Sequence, residues 1–427
     1  MNQNSIEVKA EARVLFVDMD SYFARCEQQV NYWLRGRPVG VCVYTGKYGC
    51  VISLSKEAKA LGLKAGMRLN DAMAACPDFV PIESNPTRYR EYHAKIIGVL
   101  REYSMDVVAK SIDEAIVNLT NYHHLDPVTV AKNIKRDILE KVGDWLTCSV
   151  GIAPNAFLAK LGSVRGKKVG GLLLITPKNI DEILRPLKLG DMPGIGGNMS
   201  YRLERAGIKT PLEMRYAGPD KLKAIFKGIE GIYWHYRLNF IETNIAAHDY
   251  KGMQAMRQIS AEKRQHISYI EQLFMTLCLT LEKRMVSHKF YCKSVAFTAM
   301  YEDGTRWDDA FTVTTPVQDA ISLMQMIRIR MEKFEKLTQT PPILNTKINS
   351  MRVGVTNFVN NGNMLYSLFE DMDRKETARK TMHEIKDKFG SDKLIRAVEM
   401  TDGKVIKDVI GFGSVKDLTD LDYKAMG

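Results

Sequence analysis

Two short apolar runs that stop at carboxylates constrain this chain more than anything else in it. Residues 13–17, RVLFV, run without a polar break into Asp18, the pattern of a buried strand that delivers an acid to a sheet edge. A second, largely apolar run from Met105 to Ala109 precedes SIDEAIVNL. That order predicts a hairpin turning near Lys110–Ile112. If the two strands are neighbours, Asp18, Asp113 and Glu114 converge. Adjacent side chains on an ideal strand point to opposite faces, so Asp113 and Glu114 share a site only where a turn or bulge re-aims one of them. Acids at strand ends are also common as solvated turn residues. Spacing alone leaves the catalytic and the bland reading evenly matched.

Other segments extend the pattern. Leu146–Ile152 (LTCSVGI) reads as a further strand, and helical stretches lie near 87–103 and 127–142. In this order they fit an α+β layer with helices on one face of a mixed sheet. Helical spacing over 51–76 surrounds SKEAKALGLKAG, with Gly62 and Gly66 as breaks. Thr176 to about Asn244 reads as short helices punctuated by Gly and Pro. Over 253–358 two long amphipathic stretches (268–287 and 316–336) alternate with β-rich pieces such as KSVAFTAMY and TRWDDAFTV. That is a second, smaller α+β domain, carrying more Lys and Arg than Asp and Glu. Residues 370–390 are charged and helical in pattern. A chain of 427 residues exceeds one ordinary core and predicts two to four domains.

The formal net charge is +11, which favours a polyanion partner such as nucleic acid, or an acidic membrane surface. No apolar run approaches the roughly 18 residues of a membrane helix, and MNQNSIEVKA lacks a signal-peptide core. The expected location is the cytoplasm, with no membrane partner. The seven cysteines are scattered without a CxxC pair, so they read as reduced thiols, not as disulfides or a zinc site. His123–His124 is the one histidine pair and reads as loop.

Four motifs change the odds. VDMDSYFARCE resembles the first motif of the Y-family, translesion-type DNA polymerases, and SIDEAIVNLT resembles their second. APNAFLAKLGS is similar to the third, a strand-to-helix segment with a phosphate-binding lysine. MPGIGGNMSYRLERAGI is similar to the helix-hairpin-helix of the family's thumb. They stand in the family's order, and the resemblance covers about residues 13–400. GCVISLSKEAKALGLKAG looks more like the UmuC type than the DinB type. The resemblance implies an α+β multidomain, right-hand polymerase. Its parts would be a ferredoxin-like palm (1–21 and 87–175), small fingers (22–86), a helical helix-hairpin-helix thumb (176–244) and an α/β little finger (253–358). Residues 359–427 would be a C-terminal extension.

Residue by residue, the resemblance implies that Asp18 and Asp113 hold two Mg²⁺ ions. Glu114 would serve the catalytic ion, and the backbone carbonyl of Met19 would complete the nucleotide ion's shell. Asp20 is not implied as a ligand. Phe23 matches the family's steric gate against ribonucleotides; Tyr22 beside it is the other ring able to pack the sugar, and both are otherwise ordinary core aromatics. Gly49 and Cys50 lie where small residues roof the nascent base pair. Lys160 would contact the triphosphate. Lys56 and Lys59 stand where many members have Tyr and Arg, and a Lys loses the planar fork of Arg. Gly194, Gly196 and Gly197 would offer backbone N–H groups to a DNA phosphate. LYSLFEDM (365–372) resembles a bacterial clamp-binding peptide with Leu368 and Phe369 as anchors, although Leu365 replaces the usual leading Gln. The implied activity is low-fidelity, translesion, template-directed DNA synthesis in the DNA damage response. Primer-template DNA and dNTP would be its substrates, with a sliding clamp and SOS accessory proteins as partners. Two rivals are a catalytically silent adaptor of a mutagenesis complex and a metal-dependent nuclease or DNA-binding protein. Retention of all three acids argues against the adaptor, and Phe23 and Lys160 would have no task in a nuclease.

Overall fold

A computed structural model describes residues 10–46, 49–243, 251–360, 372–389 and 394. The described residues divide into two compact units, one of residues 10–243 and one of residues 251–394.

The first unit is built on a five-stranded sheet of order β5-β6-β1-β7-β8. Its strands are β1 (Val14–Met19), β5 (Val107–Ala109), β6 (Glu114–Asn118), β7 (Cys148–Ala153) and β8 (Leu172–Leu174). Neighbours are antiparallel except β7 and β8, so the sheet is mixed. The hairpin read from the sequence is the β5–β6 pair. One face packs Leu15, Val17, Ala115, Val117, Val150 and Ile152 against three helices: α1 (Tyr22–Val30), α4 (Pro86–Arg101) and α5 (Pro127–Asp137). Both long helices open on Pro behind a side-chain cap: Asn85 accepts from the Arg88 N–H, and Asp126 from that of Thr129. The other face packs Val14, Phe16, Ile116 and Ala153 against α6 (Ala156–Gly166) and the short helices that follow it.

The expectation of helices on one face is therefore corrected: both faces are covered. The reason is visible in RVLFV. A strand buried on one side alternates, whereas one buried on both sides reads as a continuous apolar run, and every residue of β1 is buried. A bare backbone on β7 lets α6 come close. A side chain at Gly151 would sit 1.9 Å from the Ala159 carbonyl oxygen, so only glycine fits there.

A smaller three-stranded sheet, β3-β2-β4, carries β2 (Val39–Cys42), β3 (Val51–Leu54) and β4 (Val80–Glu83). Here the helical reading of 51–76 is corrected. Val51–Leu54 pairs antiparallel with β2, as the β-branched pair Val51–Ile52 favours. Helix begins only at α2 (Lys56–Ala60), capped by Ser55, and resumes at α3 (Leu69–Ala75). Gly62 and Gly66 between them take positive φ, 85° and 90°, as turns that only glycine enters freely. Short helices α7 (Ile180–Leu184), α8 (Gly197–Arg205), α9 (Pro211–Tyr216), α10 (Pro219–Phe226) and α11 (Glu230–Leu238) complete the unit. Buried Arg215 ties them together: it donates to Asp181 at 2.9 Å and to the Leu238 carbonyl.

The second unit is an antiparallel sheet of order β11-β10-β12-β9, from β9 (Gly252–Gln258), β10 (Phe290–Tyr301), β11 (Arg306–Val317) and β12 (Ile348–Asn360). Helices α12 (Ile267–Ser287) and α13 (Ala320–Thr338) share its core. β9 alternates buried Met253 and Ala255 with exposed Gln254 and Met256. Helix α14 (Met372–Phe389) is pinned at His383, whose Nε2 lies 2.8 Å from Oε1 of fully buried Glu282. Among the described residues the cysteines are all free thiols, most of them buried, and no helix is long and apolar enough to cross a membrane.

Candidate active site

The acids meet at one end of the five-stranded sheet. Asp18 on β1 and Glu114 on β6 are directly opposite in register, so both lie on the face covered by α6. Asp113 falls in the bend before β6, where the Lys110 and Ser111 N–H groups both donate to the Glu114 carbonyl, at 2.9 and 3.1 Å. Asp113 lies outside the strand, so the alternation that would turn it from Glu114 does not bind it. Its carbonyl accepts the Met19 N–H at 2.9 Å, and its carboxylate accepts the Ser111 hydroxyl at 2.5 Å.

Electrostatics register the convergence. Burial pushes the Asp18 carboxyl up to about 6, with the charges of Glu114 and Asp113 adding and Lys167 opposing. Such a group gains from a cation. Two lysines stand beside the acids: Lys167 Nζ donates to Asp18 Oδ1 at 2.8 Å, and Lys160 Nζ to both oxygens of Glu114 at 2.8 and 2.9 Å. Among the described residues no three acid, histidine or cysteine side chains enclose an ion as they stand. The donor chemistry nevertheless fits a hard divalent cation: carboxylate oxygens clustered at a sheet end, with Asp18 only 7% exposed. Asp20 is tied away from the cluster. Its oxygens accept the hydroxyls of Thr147 and Ser149 at 2.8 and 2.9 Å.

Beyond Met19, at the end of β1, the chain turns sharply at Ser21, a non-glycine residue at φ 51°, and enters α1. That turn returns Tyr22 and Phe23 to the sheet's core. Tyr22 is 3% exposed and its hydroxyl donates to the Tyr89 carbonyl at 2.6 Å. Phe23 stacks on the Tyr89 ring at 4.5 Å. Tyr89 in turn donates to Glu27 at 2.8 Å, and Glu27 is paired with Arg88. Phe23 therefore rests on a platform fixed at its far edge by a buried carboxylate.

The remaining candidates divide. Lys59 turns toward the acids: it donates to Ser21 Oγ at 2.7 Å. Desolvation and the repulsion of Lys167 hold its ammonium below the ordinary lysine value, against the pull of Asp20 and Asp18. Lys56 is exposed on the first turn of α2 and is not brought to them by any hydrogen bond or ion pair among the described residues. Gly49 is buried against the Tyr44 carbonyl, where a side chain would meet the oxygen at 2.3 Å, and Cys50 bridges to Arg68. Gly194 takes φ 92°, and Gly196 begins α8 without a side-chain cap. Added Cβ atoms at Gly196 and Gly197 would meet open space. Leu368 and Phe369 lie outside the described residues.

Sequence reasoning missed Lys167, Tyr89 and Glu27. Lys167 carried a usable signal, since it follows Lys160 by seven residues, two helical turns along one face. The Glu27 pairings span 61 and 62 residues, and no local pattern announces them.

The molecule has relatives. A model of the impB/mucB/samB family matches residues 17–164, and the model of that family's C-terminal domain matches residues 254–368. DNA polymerase IV of Sulfurisphaera tokodaii is 34% identical over 230 residues, which are 53% of this chain and 64% of that protein. The matched stretch thus spans under two thirds of that archaeal relative. DNA polymerase IV of Oceanobacillus iheyensis is 26% identical over 388 residues, 89% of this chain and 90% of that one. A solved Y-family DNA polymerase chimera superposes with a TM-score of 0.67 at 23% identity, covering 82% of this chain and 99% of its own. The chain accordingly shares the fold of that polymerase chimera. The chain belongs to the impB/mucB/samB family, the Y-family DNA polymerases of DinB/UmuC type.

Proposed function

We propose that the chain adds deoxynucleotides to a primer 3′ end under the direction of a DNA template, and that it works across damaged bases with low fidelity. The pairing of Asp18 with Glu114 across β1 and β6, with Asp113 in the adjoining bend, carries this reading. Asp18 and Asp113 would hold two Mg²⁺ ions, with Glu114 on the one beside the primer hydroxyl and the Met19 carbonyl on the one beside the nucleotide. Bound there, the ions would neutralise the triphosphate and acidify the attacking hydroxyl.

The chain's own residues do the rest. Lys160 and Lys59 hold the triphosphate as point charges, Lys56 adding positive field from further out. Phe23, backed by Tyr89, stands under C2′ of the sugar and excludes a 2′ hydroxyl, while Tyr22 is committed to the core by its hydrogen bond. Gly49 and Cys50 roof the base pair with little bulk, which admits a lesion and for the same reason rejects mispairs poorly.

In this reading residues 1–21 with 87–175 are palm, 22–86 fingers, 176–244 thumb and 253–358 little finger. The uncapped start of α8, with Gly194, Gly196 and Gly197, receives a DNA phosphate. The open polar face of the second unit's sheet grips the duplex backbone without reading sequence. Leu368 and Phe369 would anchor a sliding clamp, and accessory proteins of the damage response would join at the fingers. Primer extension on undamaged and lesion-bearing templates, with and without clamp, tests the function. Mg²⁺-dependent extension through a lesion is expected. Degradation of the primer without nucleotides would favour a nuclease instead.

A further inference from the structure

Of the two aspartates in the first motif, Asp20 is the one that the proposed chemistry leaves without a task. Its Oδ1 accepts the Ser149 hydroxyl at 2.9 Å and its Oδ2 that of Thr147 at 2.8 Å. Its own N–H donates to the Thr147 carbonyl at 2.9 Å. The exit of β1 is thus joined three times to the start of β7. Ser149 is 1% exposed and stands opposite Asp18 in register, so the joint lies beside the acids.

The next residue shows what the joint holds. Ser21 takes φ 51° and ψ 42°, a left-handed conformation disfavoured for a residue with a side chain, which persists only where its surroundings over-determine it. Ser21 is the N-cap residue of α1, yet its side chain makes no capping hydrogen bond; its Oγ accepts from Lys59 instead. The turn lacks the device that commonly fixes a helix start, and Asp20 supplies a fixed point on its upstream side. Downstream, Arg25 Nη1 donates to the Trp145 carbonyl at 2.7 Å, and the Trp145 N–H to Gln29 Oε1 at 2.7 Å. Residues 145–149 therefore hold both the entry and the flank of α1. Phe23 is the second residue of that helix. Tyr89 fixes what lies behind its ring; the turn at Ser21 fixes how far along the sheet end the ring stands.

We propose that Asp20 is a positioning residue for sugar selection: by clamping the turn at Ser21 to β7 it sets the place of the Phe23 ring. The inference rests on Phe23 being the sugar gate, as proposed above. What matters is the hydrogen-bonding shape of the side chain, not its charge. An amide of the same shape accepts from one hydroxyl and donates to the oxygen of the other, and so keeps the joint.

The test is single-nucleotide addition by the full chain on a primer-template, with deoxy- and ribonucleotide in competition, alongside thermal denaturation. Asp20→Ala should lower the preference for the deoxynucleotide about tenfold, the scale of a small misplacement, with primer-template affinity unchanged. Thr147→Val combined with Ser149→Ala removes the donors, leaves the acid, and should give the same loss. Asp20→Asn should keep the preference within about threefold of the natural chain. In a Phe23→Ala background, Asp20→Ala should take nothing further away, because the two act as one unit. A lowered melting temperature in Asp20→Ala with sugar preference intact would make the residue merely structural and overturn the proposal. An Asn variant as impaired as the Ala variant would assign the effect to charge, and additive losses in the double variant would separate Asp20 from the ring; either result overturns it too. Should Asp20→Ala fail to fold, the Thr147→Val, Ser149→Ala chain is read in the same way. If Phe23→Ala leaves the sugar choice unchanged, the gate reading itself fails. If Phe23→Ala removes the choice and Asp20→Ala matches the natural chain, only the positioning role fails.

Discussion

The two large sheets treat their polar groups on opposite terms. In the five-stranded sheet both faces are covered, and the polar groups at its active end are individually tied: Asp18 to Lys167, Glu114 to Lys160, Asp20 to Thr147 and Ser149. In the four-stranded sheet the core lies on one face, and exposed Gln254, Gln258, Arg352 and Thr312 stand on the other. Chemistry at a metal centre depends on placement within a fraction of an ångström, which buried and paired groups supply. Gripping a nucleic-acid backbone needs only polar and positive surface, because phosphate contacts position and do not specify. Substitutions in the first region should therefore act on rate and leave binding alone, and those in the second should do the reverse.

The sharpest way to break this division is at the acids. Asp113→Ala or Glu114→Ala should slow nucleotide addition by about a thousandfold while primer-template affinity, measured by fluorescence anisotropy, stays unchanged. A matching loss of affinity would merge the two regions into one. At the gate, Phe23→Ala should lower the preference for deoxy- over ribonucleotides by about a hundredfold, read by competing the two substrates, with Mg²⁺ dependence intact. Unaltered sugar selectivity would return Phe23 to the ordinary core.

Asp18 gives a stability counterpart. An acid whose folded pKa is about 6, above its unfolded value near 4, binds more protons folded than unfolded between those values. Stability in the absence of metal therefore falls as pH rises through that window and stays reduced above it. Asp18→Asn, neutral throughout, should stabilise the ion-free protein at pH 7 to 8 by about 1–3 kcal/mol and show no such gain at pH 4. Thermal denaturation in a chelating buffer reads both arms, and a destabilised Asn variant at pH 8 would show that the Lys167 pair outweighs burial. The smallest effect belongs to the second sheet. Arg352→Ala should weaken DNA binding about two- to threefold on every sequence and lower the salt slope by about one. Its rate of addition on saturating DNA should hold.

How much of this was legible follows the range of the interactions. RVLFV, the hairpin after Met105 and the long helices of the second unit announced themselves because burial pattern and turn chemistry are local. Even there, the continuous run of β1 implies cover on both faces, which the helix order alone does not reveal. Val51–Leu54 does not announce itself as a strand, because its four residues are too few to show a period and its β character depends on pairing with β2. At the site, the acids and Phe23 stand in compact motifs. Tyr89 and Glu27 are brought together across more than 60 residues by the packing of α1 on α4, which no stretch of sequence contains. Lys167 lay between these cases, marked by its two-turn distance from Lys160 but without a partner in view until β1 was placed beneath it.

The central claim is that the sheet end bearing Asp18, Asp113 and Glu114 makes phosphodiester bonds. The most direct measurement is single-nucleotide addition by the natural chain on a primer-template, with Mg²⁺ and then with the ion removed by chelator. Extension by the nucleotide complementary to the template base, lost on chelation and restored by Mg²⁺, is the predicted result. A primer that is bound but never lengthened in saturating Mg²⁺ and dNTP would contradict the account.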